Sequence, residues 1–335
     1  MRHPRLKPEG VDTFMHVYNR TVGSSSEFPF GDVEKEAFIR RLKALDRYYA
    51  IDVLAVQVMG NHYHAIIHIP AEPPDNEEAA RRYALHHEGK KTINPDSAAC
   101  TRLASQLRDV SQFMSDLQQP FTRWYNRTRP RRRRGHLWAG RFKNVVLEYG
   151  LAVWDCWKYI EMNPVRARIA ATPADYRFCS FSEWAATGKN PFAGALEKHL
   201  MPVFSDLLQV DELDGLDIEL RKEFARMKGV DERKAPEEIG SAIAVAAEKE
   251  PFSTRADRRV RYWVDGLVIG SERFVRTTMA GPHISHSFVA RVRRVLAGLA
   301  ETVVRRWRCV NTLQSGGPAF QPILAVLSAL VVGRV

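Results

Sequence analysis

Cysteine is scarce in this 335-residue chain: Cys100, Cys156, Cys179 and Cys309 lie far apart, with no Cys-x-x-Cys pair. That spacing excludes a zinc ribbon and a disulfide framework and points to a reducing compartment, the cytoplasm. No apolar segment follows the basic start Met1-Arg2-His3-Pro4-Arg5, so no secretory signal is expected. Long hydrophobic runs are missing too; the longest, roughly 322–333, is too short to span a bilayer, so no membrane partner is expected. Acidic residues are absent from Leu117 to Leu147. What is present in excess is positive charge, a net +11 with pI ≈ 9.6, which suits a polyanionic partner. A hydrophobic content of 45% can fill a core, and the length suits two domains.

β-formers from Thr13 to Thr21 predict a first strand, which Gly23-Ser24-Ser25-Ser26 ends. Val33, Ala37, Phe38, Leu42 and Leu45 have helical spacing over 32–49, with Asp32 as the expected N-cap. Ile51–Met59 and His62–Pro70 read as a hairpin about Gly60-Asn61. A polar connector with a short helix over 76–88 precedes one long helix over 102–124. A strand over 144–149 and a Trp-rich helix over 151–162, ended near Pro164, complete the series. This β-α-β-β-α-β order predicts an α+β fold, a ferredoxin-like antiparallel sheet with helices on one side. The expected domain spans 10–188, and 189–335 reads as a mostly helical extension, including a helix over 234–250.

Three constellations carry chemistry. His62 and His64 alternate on one strand face, where two neutral imidazoles can hold a divalent cation, Mg²⁺ or Mn²⁺, completed by oxygen ligands. The ordinary alternative is a pair of half-buried strand histidines. His68 shares that face; as a third ligand it would favour zinc, and otherwise it is structural. Tyr159 and Asn163 are four apart on a helix, offering a phenol nucleophile and an amide oxygen on one face. Their ordinary alternatives are a core tyrosine and a helix C-terminal asparagine. The acid-free stretch contains Arg123, Arg127, Arg129, Arg131, Arg132, Arg133, Arg134, Arg141 and Lys143, interleaved with Trp124, Tyr125, Trp138 and Phe142. Such crowded arginines repel one another unless an anion lies between them, and aromatic faces stack unpaired bases.

Taken together, these segments resemble the REP-associated tyrosine transposases, single-tyrosine HUH transposases related to the insertion-sequence-200-like family. Met59-Gly60-Asn61-His62-Tyr63-His64 is similar to the family's histidine–hydrophobic–histidine motif. Leu137-Trp138-Ala139-Gly140-Arg141-Phe142, Tyr159-Ile160-Glu161-Met162-Asn163-Pro164-Val165-Arg166-Ala167 and Tyr176-Arg177-Phe178-Cys179-Ser180-Phe181 follow in the family's order. His16-Val17-Tyr18-Asn19-Arg20 fits its first strand, and 263–271 resembles a segment of longer members.

The resemblance implies attack by Tyr159 on single-stranded DNA at or near a hairpin, giving a 5′-phosphotyrosine and a free 3′-OH. It implies His62, His64 and Asn163 as ligands of Mg²⁺ or Mn²⁺, and hairpin contact by residues 127–134. It implies a cytoplasmic, nucleoid-associated protein that is a monomer or homodimer. Two other functions fit the residues: a domesticated, catalytically weak hairpin binder, and a zinc hydrolase using His62, His64 and His68.

Overall fold

The computed structural model describes residues 6–24, 26–130, 133–208, 211–228, 263 and 267–279. Its elements are β1 (Thr13–Arg20), α1 (Asp32–Tyr48), β2 (Asp52–Val58), β3 (His62–Ile69), α2 (Asn76–His86), α3 (Ala98–Leu107) and α4 (Val110–Thr128). Then come β4 (Lys143–Leu147), α5 (Leu151–Glu161), α6 (Asn163–Arg166), α7 (Ser180–Thr187), α8 (Ala193–His199), α9 (Met201–Leu208), α10 (Leu213–Lys228), β5 (Val268–Ile269) and α11 (Glu272–Met279). The fold is α+β, built on a mixed five-stranded sheet in the order β2-β3-β1-β4-β5. The first three pairings are antiparallel, and β5 joins β4 in parallel.

Alternation along β3 sends successive side chains to opposite faces. Tyr63 packs its ring 4.6 Å from that of Phe38 on α1, and its hydroxyl meets Gln118 Nε2 of α4. His64, one residue on, faces Tyr159 of α5 across the other side, with ring centroids 6.0 Å apart. Helices therefore cover both faces, where the sequence predicts one. The reason lies in α5: Val153, Trp154, Trp157 and Ile160 are all buried, and so much apolar surface needs a sheet to cover it.

Three local expectations also change. Gly31, not Asp32, is the N-cap of α1, because Glu34 Oε2 reaches back to accept the Gly31 N–H at 2.9 Å. Val33 then falls on the solvent side, 66% exposed. The single helix expected over 102–124 is two helices. Asp109 interrupts it by accepting the Ser111 and Gln112 N–H groups, and so starts α4 afresh. Pro120 sits inside α4 and frees the Asp116 carbonyl four residues back; Arg41 Nε donates to that carbonyl at 2.8 Å. The helix expected over 234–250 lies outside the described residues. No described helix is long and apolar enough to cross a membrane.

Candidate active site

The Gly60-Asn61 turn opens β3, so His62 enters at the strand's first residue and His64 two residues on, both on the α5 face. Gly150, at φ +93°, starts α5 in a backbone conformation that favours glycine. The helix carries Tyr159 to its last turn. Met162 interrupts it before Asn163-Pro164 begins α6. Asn163 still falls beside the histidines, its Nδ2 lying 3.5 Å from His62 Nε2. Tyr159, His62, His64 and Asn163 thus converge from segments a hundred residues apart.

Hydrogen bonds determine which ring nitrogens carry protons. The Trp263 carbonyl lies 2.8 Å from His16 Nδ1 and can only accept, so that nitrogen bears the proton. His16 Nε2 is then the acceptor, and His64 Nδ1, 2.8 Å away, must donate to it. His64 is left with its lone pair on Nε2. By the same logic the Asn61 amide oxygen, 2.7 Å from His62 Nδ1, holds the proton there and leaves the lone pair on His62 Nε2. Burial keeps the rings neutral. It lowers His16 to about 4 against the opposing Trp263 bond, and lowers His64 well below the usual range with help from His16, His62 and Arg166. His62 falls to about 4 through burial and then the charge of Arg20. Two neutral imidazoles with oriented Nε2 lone pairs, flanked by an amide, suit a divalent cation.

Arg166 is the cation stacked on Tyr159. Its guanidinium carbon lies 4.2 Å above the Tyr159 ring, and Nη2 donates to the Tyr159 carbonyl at 2.5 Å. The Trp263 ring flanks Tyr159, with centroids 5.6 Å apart. Sequence reasoning assigned no role to His16 or Arg166. The signal for His16 was its even-numbered position on β1, which pairs antiparallel with β3; that for Arg166 was its spacing of seven from Tyr159, two helical turns.

His68 does not join the pair. It lies toward the far end of β3, where Nε2 is 3.1 Å from Asp12 Oδ1 and Nδ1 is 3.7 Å from Asp52 Oδ2, so a site of His62, His64 and His68 does not form.

The basic stretch splits into groups with different surroundings. Arg123, Arg127, Arg134, Arg141 and Lys143 are exposed. Arg129 is bound by buried Glu34 and lies 4.4 Å over the Tyr125 ring. Arg133 donates to the His136 carbonyl. Arg131 and Arg132 lie outside the described residues. The Trp138 ring is half-buried against Phe30, Phe38 and Tyr63, so it serves the core. The stretch rejoins the site at its end. Ala139 N donates to the Arg20 carbonyl at 2.9 Å, and Arg20 is the register partner of His62.

No protein-family model matches the chain, and no curated protein sequence matches it. A solved structure of a REP-associated tyrosine transposase bound to a REP hairpin is similar at 15% identity, covering 56% of this chain and 87% of that one, with a TM-score of 0.34. Overlap of that extent leaves function to be argued from the residues themselves.

Proposed function

We propose that the chain is a metal-dependent, single-tyrosine HUH transposase that nicks and rejoins single-stranded DNA at or near hairpins. The observation that carries this is the relay from the Trp263 carbonyl through His16 to His64. Together with Asn61, it aims two neutral Nε2 lone pairs beside Asn163 and next to a tyrosine under an arginine. The strand order β2-β3-β1-β4 supports reading the core as a ferredoxin-like arrangement, on which such a site would be mounted.

His62, His64 and the Asn163 amide, its oxygen presented by a half-turn of the side chain, would hold Mg²⁺ or Mn²⁺. When bound, the cation would neutralise and polarise the scissile phosphate. The Tyr159 hydroxyl oxygen attacks phosphorus, the bond to the 3′ oxygen breaks, and the DNA 5′ end is left as a phosphotyrosine ester. The phenol's proton leaves and the 3′ oxygen gains one; because one phosphodiester bond replaces another, the step is reversible without a nucleotide cofactor. Arg166 over the ring favours the phenolate that develops during attack. The exposed Arg123, Arg127, Arg134, Arg141 and Lys143 would hold the hairpin backbone.

We assign this role to residues 10–188, with 189–335 as an extension that feeds Trp263 into the site. The test incubates end-labelled single-stranded oligonucleotides carrying palindromes with the protein and Mn²⁺. A covalent adduct on a denaturing gel, lost in Tyr159→Phe and in His62→Ala, is the expected result. Binding without an adduct across palindromes and both metals would instead make the chain a domesticated hairpin binder.

A further inference from the structure

A second group of ligand-type side chains lies on the same face of β3, four residues beyond His64 and six beyond His62, roughly 20 Å from His62 along the strand. Asp52 opens β2, His68 is its register partner on β3, and His199 ends α8. One nitrogen or oxygen from each lies within 4.8 Å of the others. His199 Nε2 is 2.6 Å and His68 Nδ1 is 3.7 Å from the same Asp52 Oδ2. The two imidazoles overlap at 3.8 Å, walled by Phe14.

The hydrogen-bond pattern is incomplete at one atom. Asp12 Oδ1 is fixed by the Ala71 N–H and lies 3.1 Å from His68 Nε2, which places the His68 proton on Nε2. His68 Nδ1 is buried with no hydrogen-bond partner, on a side chain 4% exposed. It faces an Asp52 carboxylate oxygen 3.7 Å away, farther than a hydrogen bond, and a cation between the two would engage both.

We infer that His68 Nδ1, His199 Nε2 and Asp52 Oδ2 form a zinc site that ties α8 to the β2–β3 edge. The donors suit it: two imidazoles and one carboxylate favour zinc over Mg²⁺ or Ca²⁺, and Asp12 is the carboxylate that orients a ligating histidine from behind. Ligand bonds of about 2.0–2.2 Å set tetrahedral neighbours roughly 3.3–3.6 Å apart, near the spacing of His68 and Asp52. The closer His199–Asp52 pair opens by about 1 Å. Lys198 Nζ, 3.1 Å from the same Asp52 oxygen, belongs to a side chain 65% exposed and swings into solvent, leaving a fourth position for water.

This inference stands apart from the activity proposed above, and its test keeps the two separate. The full chain is stripped with a chelator and titrated with Zn²⁺ against a chromophoric competitor, in parallel with His62→Ala/His64→Ala and with the same variant carrying His199→Gln. The double variant is expected to retain one tightly bound zinc per chain, to give the intense visible bands of tetrahedral Co²⁺, and to melt at higher temperature with zinc. Adding His199→Gln should weaken zinc at least 100-fold and abolish the thermal shift. Because glutamine keeps a polar group at the α8 terminus, a folded variant is expected, checked by circular dichroism. Should that variant not fold, the zinc-dependent thermal shift and Co²⁺ bands of His62→Ala/His64→Ala decide alone. A double variant without bound zinc, or zinc affinity indifferent to His199→Gln, would overturn the assignment.

Discussion

His16 Nε2 and His64 Nδ1 lie 2.8 Å apart inside the sheet, and the proton between them belongs to His64. The bond links neighbouring strands β1 and β3 and orients a ring whose other nitrogen faces the site. Replacing His16 by Phe keeps a planar ring, though a larger one, and strands the His64 N–H and the Trp263 carbonyl, each at about 1–3 kcal/mol. Loss of such an outer partner typically lowers metal affinity about 10–100-fold. We expect that loss for His16→Phe in a Mn²⁺ titration followed by paramagnetic resonance. Wild-type affinity in a folded His16→Phe would remove the relay from the mechanism.

Arg166 lies 4.2 Å above the Tyr159 ring and is fixed by its bond to the Tyr159 carbonyl. A cation there favours the developing phenolate more than the neutral phenol. Arg166→Gln should therefore slow covalent adduct formation by about 10–100-fold, as losing one electrostatic stabiliser does. It should also move the rising limb of the pH–rate profile to higher pH. Oligonucleotide affinity should change far less, because the exposed arginines lie elsewhere. A rate loss with an unshifted pH profile would mean that Arg166 only props the helix.

Much of this site was legible because its parts follow local rules. A two-residue strand period puts His62 and His64 on one face, and a four-residue helix period aligns Tyr159 with Asn163. What the sequence hid depends on backbone and on distance. The partner of His16 is a carbonyl 247 positions away, and a carbonyl has no residue identity to read. The break between α3 and α4 was masked because apolar spacing runs on across Asp109, although that residue is a good N-cap. Helices on both faces followed from how much of α5 is apolar, which periodicity alone does not rank.

Glu161 gives a pH prediction. Burial pushes its carboxyl up to about 7 from an ordinary 4.5, against bonds from Ser180, Cys179 and Trp157. A raised carboxyl binds more protons folded than unfolded between those values. Its contribution to stability is therefore present at low pH and lost as pH rises through the window, by about 3 kcal/mol in all. His16 and His62, both lowered to about 4, act oppositely and add stability as pH rises from 4 to 6.5. Only a difference isolates the glutamate. Urea unfolding of Glu161→Gln relative to wild type should show a relative gain between pH 5 and pH 8, with the histidine contributions cancelling. A constant difference across that range would mean that Glu161 is ionised throughout.

The arginine-rich stretch separates into residues that hold the protein and residues available to a polyanion. Arg129 neutralises Glu34, a carboxylate only 7% exposed, so Arg129→Ala leaves a nearly buried charge without its partner. Breaking a fully buried pair costs about 3–5 kcal/mol, and partial exposure of the guanidinium reduces this to about 1–3 kcal/mol. Arg127 projects into solvent from the last turn of α4, and its removal should change stability by less than about 0.5 kcal/mol. Binding should show the reverse ranking. Each phosphate contact contributes about 0.7–0.9 to the slope of log affinity against log salt, so Arg127→Ala should reduce that slope by nearly one. Arg129→Ala, assayed where it is still folded, should leave the slope close to wild type. Hairpin titrations by anisotropy at several salt concentrations, paired with urea melts of both variants, provide the comparison. Equal slopes for Arg127→Ala and wild type would take the exposed arginines out of the interface and leave the chain's positive charge to be explained by another surface.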